Sequence, residues 1–241
     1  MTLFRFRGPV GLLLLAALAL PAASLFSATA FAEGETGEAA DTATIPWELD
    51  MTKAKAKAKA EGKDLLINFT GSDWCGWCTK LESEVFHKKA FLDTALKSYV
   101  MVFLDFPNAE ELKAKVVDAK LNEKLKNDYA VRGYPTIMLT NCDGLPDGKT
   151  GYQDGGPAGY LKHMDEIKSK GKDLMTLAAV GEKATDEQFK TGAKALVDAG
   201  LMSYPAYAWI VEEAKSIDPK DWLGMKTVVL GQEEEKKLKA A

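Results

Sequence analysis

The chain has 241 residues, 46% of them apolar and 27% charged, with 31 basic side chains against 35 acidic ones. That is apolar content enough for an ordinary core, and the acidic balance argues against a nucleic-acid partner. Three cysteines in this length are far too few for a disulfide-stapled scaffold. The first residues read as an export signal: Arg5 and Arg7 form the charged start, residues 10–20 an apolar run, and Ala30-Phe31-Ala32 a small-x-small cleavage site. The run is shorter than the ~20 residues a spanning helix needs, Pro21 ends it, and no later stretch is a candidate span. Residues 1–32 are therefore expected to be removed, leaving Glu33 as the first residue, 29 basic against 35 acidic residues and a net charge of −6. The expected location is periplasmic or secreted, without stable membrane insertion, where cysteines persist as disulfides.

Residues 33–44, rich in Gly, Ala, Thr and acids, read as a flexible leader. Trp47 begins the folded part. In the lysine/alanine run that follows, Lys53, Lys55, Lys57 and Lys59 spread around a helix, while Trp47, Met51, Ala54 and Ala58 share one apolar side. A solvated helix with a thin buried stripe is expected, running to Glu61 and stopped by Gly62. Leu65-Leu66-Ile67-Asn68-Phe69 follows as a short apolar strand, of the kind a sheet covered on both faces requires. A helix over 75–86, with Leu81 and Val85 toward the sheet, leads to a second apolar strand over 99–106. Residues 108–130 predict helix, broken near Lys120 to Asn122, and Thr136 to Leu139 a third strand.

Asp143-Gly144 and Asp147-Gly148 are turn signals for a hairpin into a strand near residues 150–152, and a helix over 160–169 closes the domain. Strand, helix, strand, helix, hairpin and final helix predict an α/β mixed sheet with helices on both faces over residues 45–170. Residues 173–241 show no strand pattern and predict a small all-α extension. Thr185-Asp186-Glu187-Gln188 is a capping box. Gly200 is a stop after Leu196 and Val197. Tyr207, Ile210, Val211 and Ala214 keep helical spacing, and Asp218-Pro219 caps a segment carrying Trp222, Leu223, Val228 and Val229. The pattern is similar to tetratricopeptide-like helical pairs, without a repeat period.

The chemistry sits in Trp74-Cys75-Gly76-Trp77-Cys78. Two thiols separated by two residues at a helix start can close a disulfide with little backbone movement, and the first sulfur then lies at the positive end of the helix, where a thiolate is stabilised. Cys75 is the expected nucleophile, facing solvent, and Cys78 the more buried resolving thiol. Trp74 and Trp77 flank the pair with apolar area suited to an extended protein substrate, although Trp74 reads equally well as core. A metal site would need about four ligands, and beyond the pair only Cys142, His87 and His163 are candidates, at unrelated spacings. Haem attachment requires a histidine where Thr79 stands. No cofactor or metal is expected beyond the redox-active Cys75–Cys78 pair, and Cys142 reads as a spare, half-buried thiol.

Trp-Cys-Gly-x-Cys after an apolar strand, with Arg132-Gly133-Tyr134-Pro135-Thr136 before the next, resembles the thioredoxin superfamily over about residues 45–170. The longer phrase from Thr70 to Cys78, with Leu81-Glu82 and Glu84-Val85-Phe86 after it, is similar to exported bacterial thioredoxin-like proteins. The resemblance implies a cis Pro135 lying against the cysteine pair, with the backbone of Tyr134 pairing with substrate in a strand-like way. Gly76, Asn68, Asp73 and Thr136 would support the site. One departure stands out. Where the family commonly carries a buried Asp before the active site, this chain has Asn68, which cannot titrate; either water or another acid, such as Asp73 or Glu82, takes the Cys78 proton, or resolution is slower than in the family. The expected function is an exported thiol–disulfide oxidoreductase that reduces, forms or isomerises disulfides in protein substrates and exchanges electrons with a partner protein. The alternative is a binding module whose helical tail makes the contacts.

Overall fold

The computed structural model describes residues 43–221, which lie within one unit, Glu38–Ala241. The expected signal segment, all but the end of the leader, and the segment carrying Trp222, Leu223, Val228 and Val229 lie outside the described residues. Helix α1 (Met51–Glu61) opens where the Asp50 carboxylate accepts the backbone N–H groups of Thr52 and Lys53, at 2.8 and 3.1 Å. It ends at Gly62, whose φ of 64° suits a residue without Cβ. Met51, Ala54 and Ala58 form its buried stripe. Trp47 does not join them. It precedes the cap and packs against Phe86 and Phe103, ring centroids 5.7 and 5.4 Å away, on the other side of the sheet.

Strand β1 (Asp64–Thr70) is followed by α2 (Gly76–Leu81), a π-helical turn at Glu82–Phe86, α3 (Lys89–Ser98) and β2 (Tyr99–Asp105). Then come α4 (Glu110–Lys113), α5 (Ala119–Asp128), β3 (Thr136–Thr140), β4 (Pro146–Thr150), α6 (Gly156–Val180), α7 (Asp186–Asp198) and α8 (Ala208–Ile217). The sheet order is β2-β1-β3-β4, with β1 and β2 parallel and the other pairs antiparallel. Successive strand residues face opposite sides. Leu65, Ile67 and Phe69 therefore enter a core shared with α1, α5, α7 and α8, while Leu66 enters one built with Leu81, Val85, Phe86, α3 and the start of α6. The mixed sheet covered on both faces is the expected one.

Helix α3 is an addition to the expected order; its Phe91, Leu92 and Ala95 stripe fills the second core. The break in the 108–130 region falls at residues 114–118, because Asp118 caps α5 by accepting the Leu121 N–H at 2.9 Å. The hairpin turns over residues 141–145: Asn141 Oδ1 accepts the N–H groups of Asp143 and Leu145, and Gly144 adopts φ 81°. Asp147 and Gly148 thus lie inside β4 rather than in a turn, and β4 ends before residues 151–152.

The largest correction concerns the end of the sheet domain. α6 runs unbroken to Val180, so the division expected at 170–173 falls inside a helix. Tyr160 and Met164 belong to one core and Leu174 and Leu177 to the other, so the helix passes β4 from one face to the opposite one. Contact with β4 is close: a Cβ on Gly171 would stand 2.2 Å from the Asp147 carbonyl oxygen. Lys168 pairs with Asp64 at 2.7 Å and with Asp147, whose carboxyl burial pushes up to about 6. α7 begins at the capping box, where Thr185 and Gln188 exchange hydrogen bonds at 2.9 and 3.3 Å. Tyr207 Oη donates to the Pro146 carbonyl at 2.5 Å. No helix among the described residues is long and apolar enough to cross a membrane.

Gly171→Ala should cost about 1–3 kcal/mol, the range for overpacking a close contact, read as a lower urea midpoint at constant slope. An unchanged midpoint would show that α6 yields freely.

Candidate functional site

β1 delivers the chain to Gly71, whose carbonyl accepts the N–H groups of Trp74 at 3.3 Å and Cys75 at 2.9 Å in a tight turn. A Cβ on Gly71 would meet the Trp74 indole at 2.3 Å, so glycine lets the ring fold back over the turn. Cys75 occupies the cap position of α2, and its Sγ accepts the Cys78 N–H at 3.2 Å. A disulfide joins Cys75 and Cys78, with Cα atoms 5.2 Å apart. Both are more enclosed than a solvent-facing sulfur implies: Cys75 is 7% exposed and Cys78 2%. The accessible surface at the site belongs instead to the indoles of Trp74 and Trp77, at 45% and 58%.

Each indole anchors a different flank. Trp74 Nε1 donates to the Phe106 carbonyl at 2.8 Å and meets the Tyr134 ring edge-on at 5.3 Å, while Phe106 and Tyr134 lie 5.5 Å apart. Burial pushes the Tyr134 hydroxyl up to about 12. Trp77 lies 5.1 Å from the Tyr152 ring, and Lys80 Nζ sits over both rings, at 5.2 and 4.6 Å. Tyr152 Oη lies 2.6 Å from a Glu84 carboxylate oxygen and 2.9 Å from one of Asp154, its single proton shared between the two acceptors. Phe106 and Tyr152 were not among the candidate residues. The sequence gives each as a strand residue, and only the packing of the indoles brings them to the site.

The Tyr134–Pro135 peptide bond is cis. Thr136, which follows it, donates from its hydroxyl to the Gly133 carbonyl at 2.8 Å and pairs with Phe69 across β1 and β3. This brings the loop around Pro135 to the end of β1 from which the chain runs on to the cysteines. Gly76 has open space where a Cβ would stand. Asn68 is 1% exposed, on the same side of β1 as Leu66, and its Oδ1 has no partner among the described residues; nor does Thr70 Oγ1.

The two acids considered as acceptors of the Cys78 proton part company. Asp73 accepts the N–H groups of Asn108 and Ala109 at the start of α4, which hold its carboxyl below the ordinary range. It is a loop clamp rather than a base. Glu82 stands one helical turn after Cys78, and burial raises its carboxyl, with Asp105 adding to the rise and His87 opposing it. Asp105 itself holds the active-site loop, accepting the Ser72 N–H at 2.9 Å and hydroxyl at 2.6 Å. Cys142 is a free, half-buried thiol packed on the opposite core, while His87 contacts the Ala43 carbonyl and His163 the Thr150 hydroxyl. Among the described residues, no three His, Cys, Asp or Glu side chains group as a metal site.

Gly71→Ala should displace the Trp74 indole, changing the near-ultraviolet circular dichroism of the oxidised protein. A spectrum superposable on wild type would show that the turn absorbs the added methyl.

Residues 46–141 match the family model described as thioredoxin-like. The chain is 31% identical over 126 residues to the disulfide bond reductase DsbH of Chlamydia pneumoniae, covering 51% of this chain and 72% of that protein. It is 25% identical over 159 residues to the thioredoxin-related protein DsbJ of the same organism, covering 61% of this chain and 44% of the relative. Among solved structures, a DsbH oxidoreductase aligns with a TM-score of 0.46 at 29% identity, over 54% of this chain and 88% of that one.

Proposed function

The chain belongs to the thioredoxin-like family and is a thiol–disulfide oxidoreductase, and from that premise we propose that it is an exported enzyme reducing disulfides in protein substrates through Cys75 and Cys78. The observation that carries this reading is the cap position of Cys75, whose sulfur accepts the Cys78 N–H. In the reduced enzyme the same N–H and the helix's positive end stabilise a thiolate there. The reductive direction draws on the relative named as a disulfide bond reductase. Export draws on the charged start, apolar run and cleavage site of residues 1–32.

The Cys75 thiolate attacks one substrate sulfur, forming a mixed disulfide and releasing the other substrate sulfur as a thiolate that takes up a proton. Cys78 then loses its proton and attacks Cys75 Sγ. The Cys75–Cys78 disulfide forms, the second substrate sulfur leaves, and two electrons have passed from enzyme to substrate. A partner protein returns them. The apolar faces of Trp74 and Trp77 hold the substrate chain, and Tyr134 offers its backbone beside Pro135. Because Asn68 cannot titrate, Glu82 takes the Cys78 proton: its raised carboxyl lies closer to the thiol range than an ordinary glutamate does.

Wild type should reduce insulin with dithiothreitol as donor, and Cys75→Ser should show none of that turnover; equal rates would leave a binding role instead. Titration against glutathione should give a potential near about −270 mV or lower, the range of a reductant. A value close to that of an oxidant would reverse the direction assigned here.

Glu82→Gln gives two opposed readouts. Resolution of a Cys75 mixed disulfide should slow at neutral pH. Stability should move the other way: a carboxyl whose folded value is raised binds more protons when folded, so its cost sets in as pH rises through the ordinary carboxylate range toward the raised value. The variant should therefore melt higher than wild type at pH 7 and equal it near pH 4. A variant that resolves at the wild-type rate removes Glu82 from the reaction.

A further inference from the structure

On the far side of Trp74 from the cysteines lies an apolar groove that the disulfide chemistry leaves unused. One hollow, about 150 Å³, is lined by Leu49, Phe103, Leu112 and Val117. A second, about 250 Å³, is lined by Phe106 and Pro107, and the two share Asp105, Val116 and Asn122. Leu49 and Val117 are 42% and 55% exposed, an unusual state for large apolar side chains that face each other across a hollow.

The floor of this groove is the outer edge of the sheet, because β2 is the end strand. Residue 48 covers that edge only briefly: the Glu48 N–H donates to the Met101 carbonyl and the Glu48 carbonyl accepts the Phe103 N–H, both at 2.9 Å. The chain then turns away into the Asp50 cap of α1. In a strand, alternate residues direct their peptide groups to opposite sides. Phe106 donates inward to Thr70, at 2.9 Å, and Phe103 outward to Glu48. The Phe103 carbonyl and the Asp105 N–H accordingly point out of the sheet, beyond the reach of residue 48 and along the groove. Such an edge is a template for one more strand.

Continuity with the reactive pair selects the occupant. The Phe106 carbonyl at the groove's end accepts the Trp74 indole N–H at 2.8 Å, and Trp74 is the residue before Cys75. A polypeptide whose disulfide is attacked at Cys75 has only the Trp74 ring to cross before it meets this edge. We propose that the groove is a second docking site for the substrate polypeptide: an extended apolar segment flanking the attacked disulfide adds as a strand at residues 103–105 of β2 and places alternate side chains in the two hollows. The inference rests on the reading that protein disulfides are the substrates, and it adds a sequence preference to it. Backbone pairing tolerates many sequences, while the hollows favour apolar residues at alternate positions.

The test compares kcat/KM for insulin with kcat/KM for a small aromatic disulfide, in wild type, in the double variant Leu49→Asp/Val117→Asp, and in Ile217→Asp, an exposed apolar control on α8. The insulin-to-small-disulfide ratio should fall roughly tenfold in the double variant, as for loss of an interface anchor, and stay at the wild-type value in the control. A mixed disulfide trapped in Cys78→Ser with a cysteine peptide bearing an apolar flank should slow hydrogen exchange at the Asp105 amide. An unchanged ratio in a double variant that melts like wild type overturns the inference while leaving protein disulfides as substrates. Turnover of the small disulfide alone by wild type removes the protein-substrate reading itself. A wild-type dimer in solution that the double variant dissociates, with the ratio unchanged, assigns the groove to a second copy of the chain.

Discussion

Burial of β1 on both faces is the constraint from which the site follows. A strand held between β2 and β3, with Leu65, Ile67 and Phe69 in one core and Leu66 in the other, has almost no freedom of register, since a one-residue slip would exchange the two sets. That fixes where the strand ends. Thr70 closes the ladder, Gly71 starts the turn, and Cys75 arrives at the first turn of α2 with its sulfur directed at the Cys78 amide. The loop before β3 is positioned by the same ladder, through Thr136 beside Phe69. Two stretches far apart in the chain thus meet because one central strand organises both.

Around that strand the molecule divides its polar groups by task. Asp73 and Asp105 are spent on holding loops: one accepts amides at the start of α4, the other the amide and hydroxyl of Ser72. Glu82 makes no such bond among the described residues and stays half-buried, and that burial is why its proton is held more tightly. Asn68 is fully buried and neutral, avoiding the desolvation cost a carboxylate would carry in its place. The acids with backbone partners are thus the ones held ionised or fixed in loops, and the one whose carboxyl is raised by burial is Glu82.

The cysteine spacing, the apolar strands, the Gly62 stop and the Thr185 capping box were all legible because each is a short-range signal with its own physical cause. What escaped were features decided by tertiary contact. Asp147-Gly148 has the composition of a turn, yet Asn141 captures the turn with its side chain and leaves those two residues to pair in β4. Trp47 has the spacing to extend the α1 stripe, but it lies ahead of the Asp50 cap, where helical spacing no longer applies. The Cys pair was identified from sequence, whereas its enclosure, and the roles of Phe106 and Tyr152 in seating the two indoles, depend on folds of the chain that no local pattern encodes.

The passage of α6 from one face of the sheet to the other bears on where this molecule can be cut. Sequence similarity marks out residues 46–141, and that interval would look like a self-sufficient redox module to anyone designing a minimal fragment. It is not one. Residues beyond it supply Tyr160 and Met164 to one side of the sheet, and Leu174, Leu177, Phe189, Leu196 and Tyr207 to the other. A fragment ending at 141 would lack β4 and would keep only α1 and α5 over the Leu65, Ile67 and Phe69 face, losing the part of that core built by α6, α7 and α8.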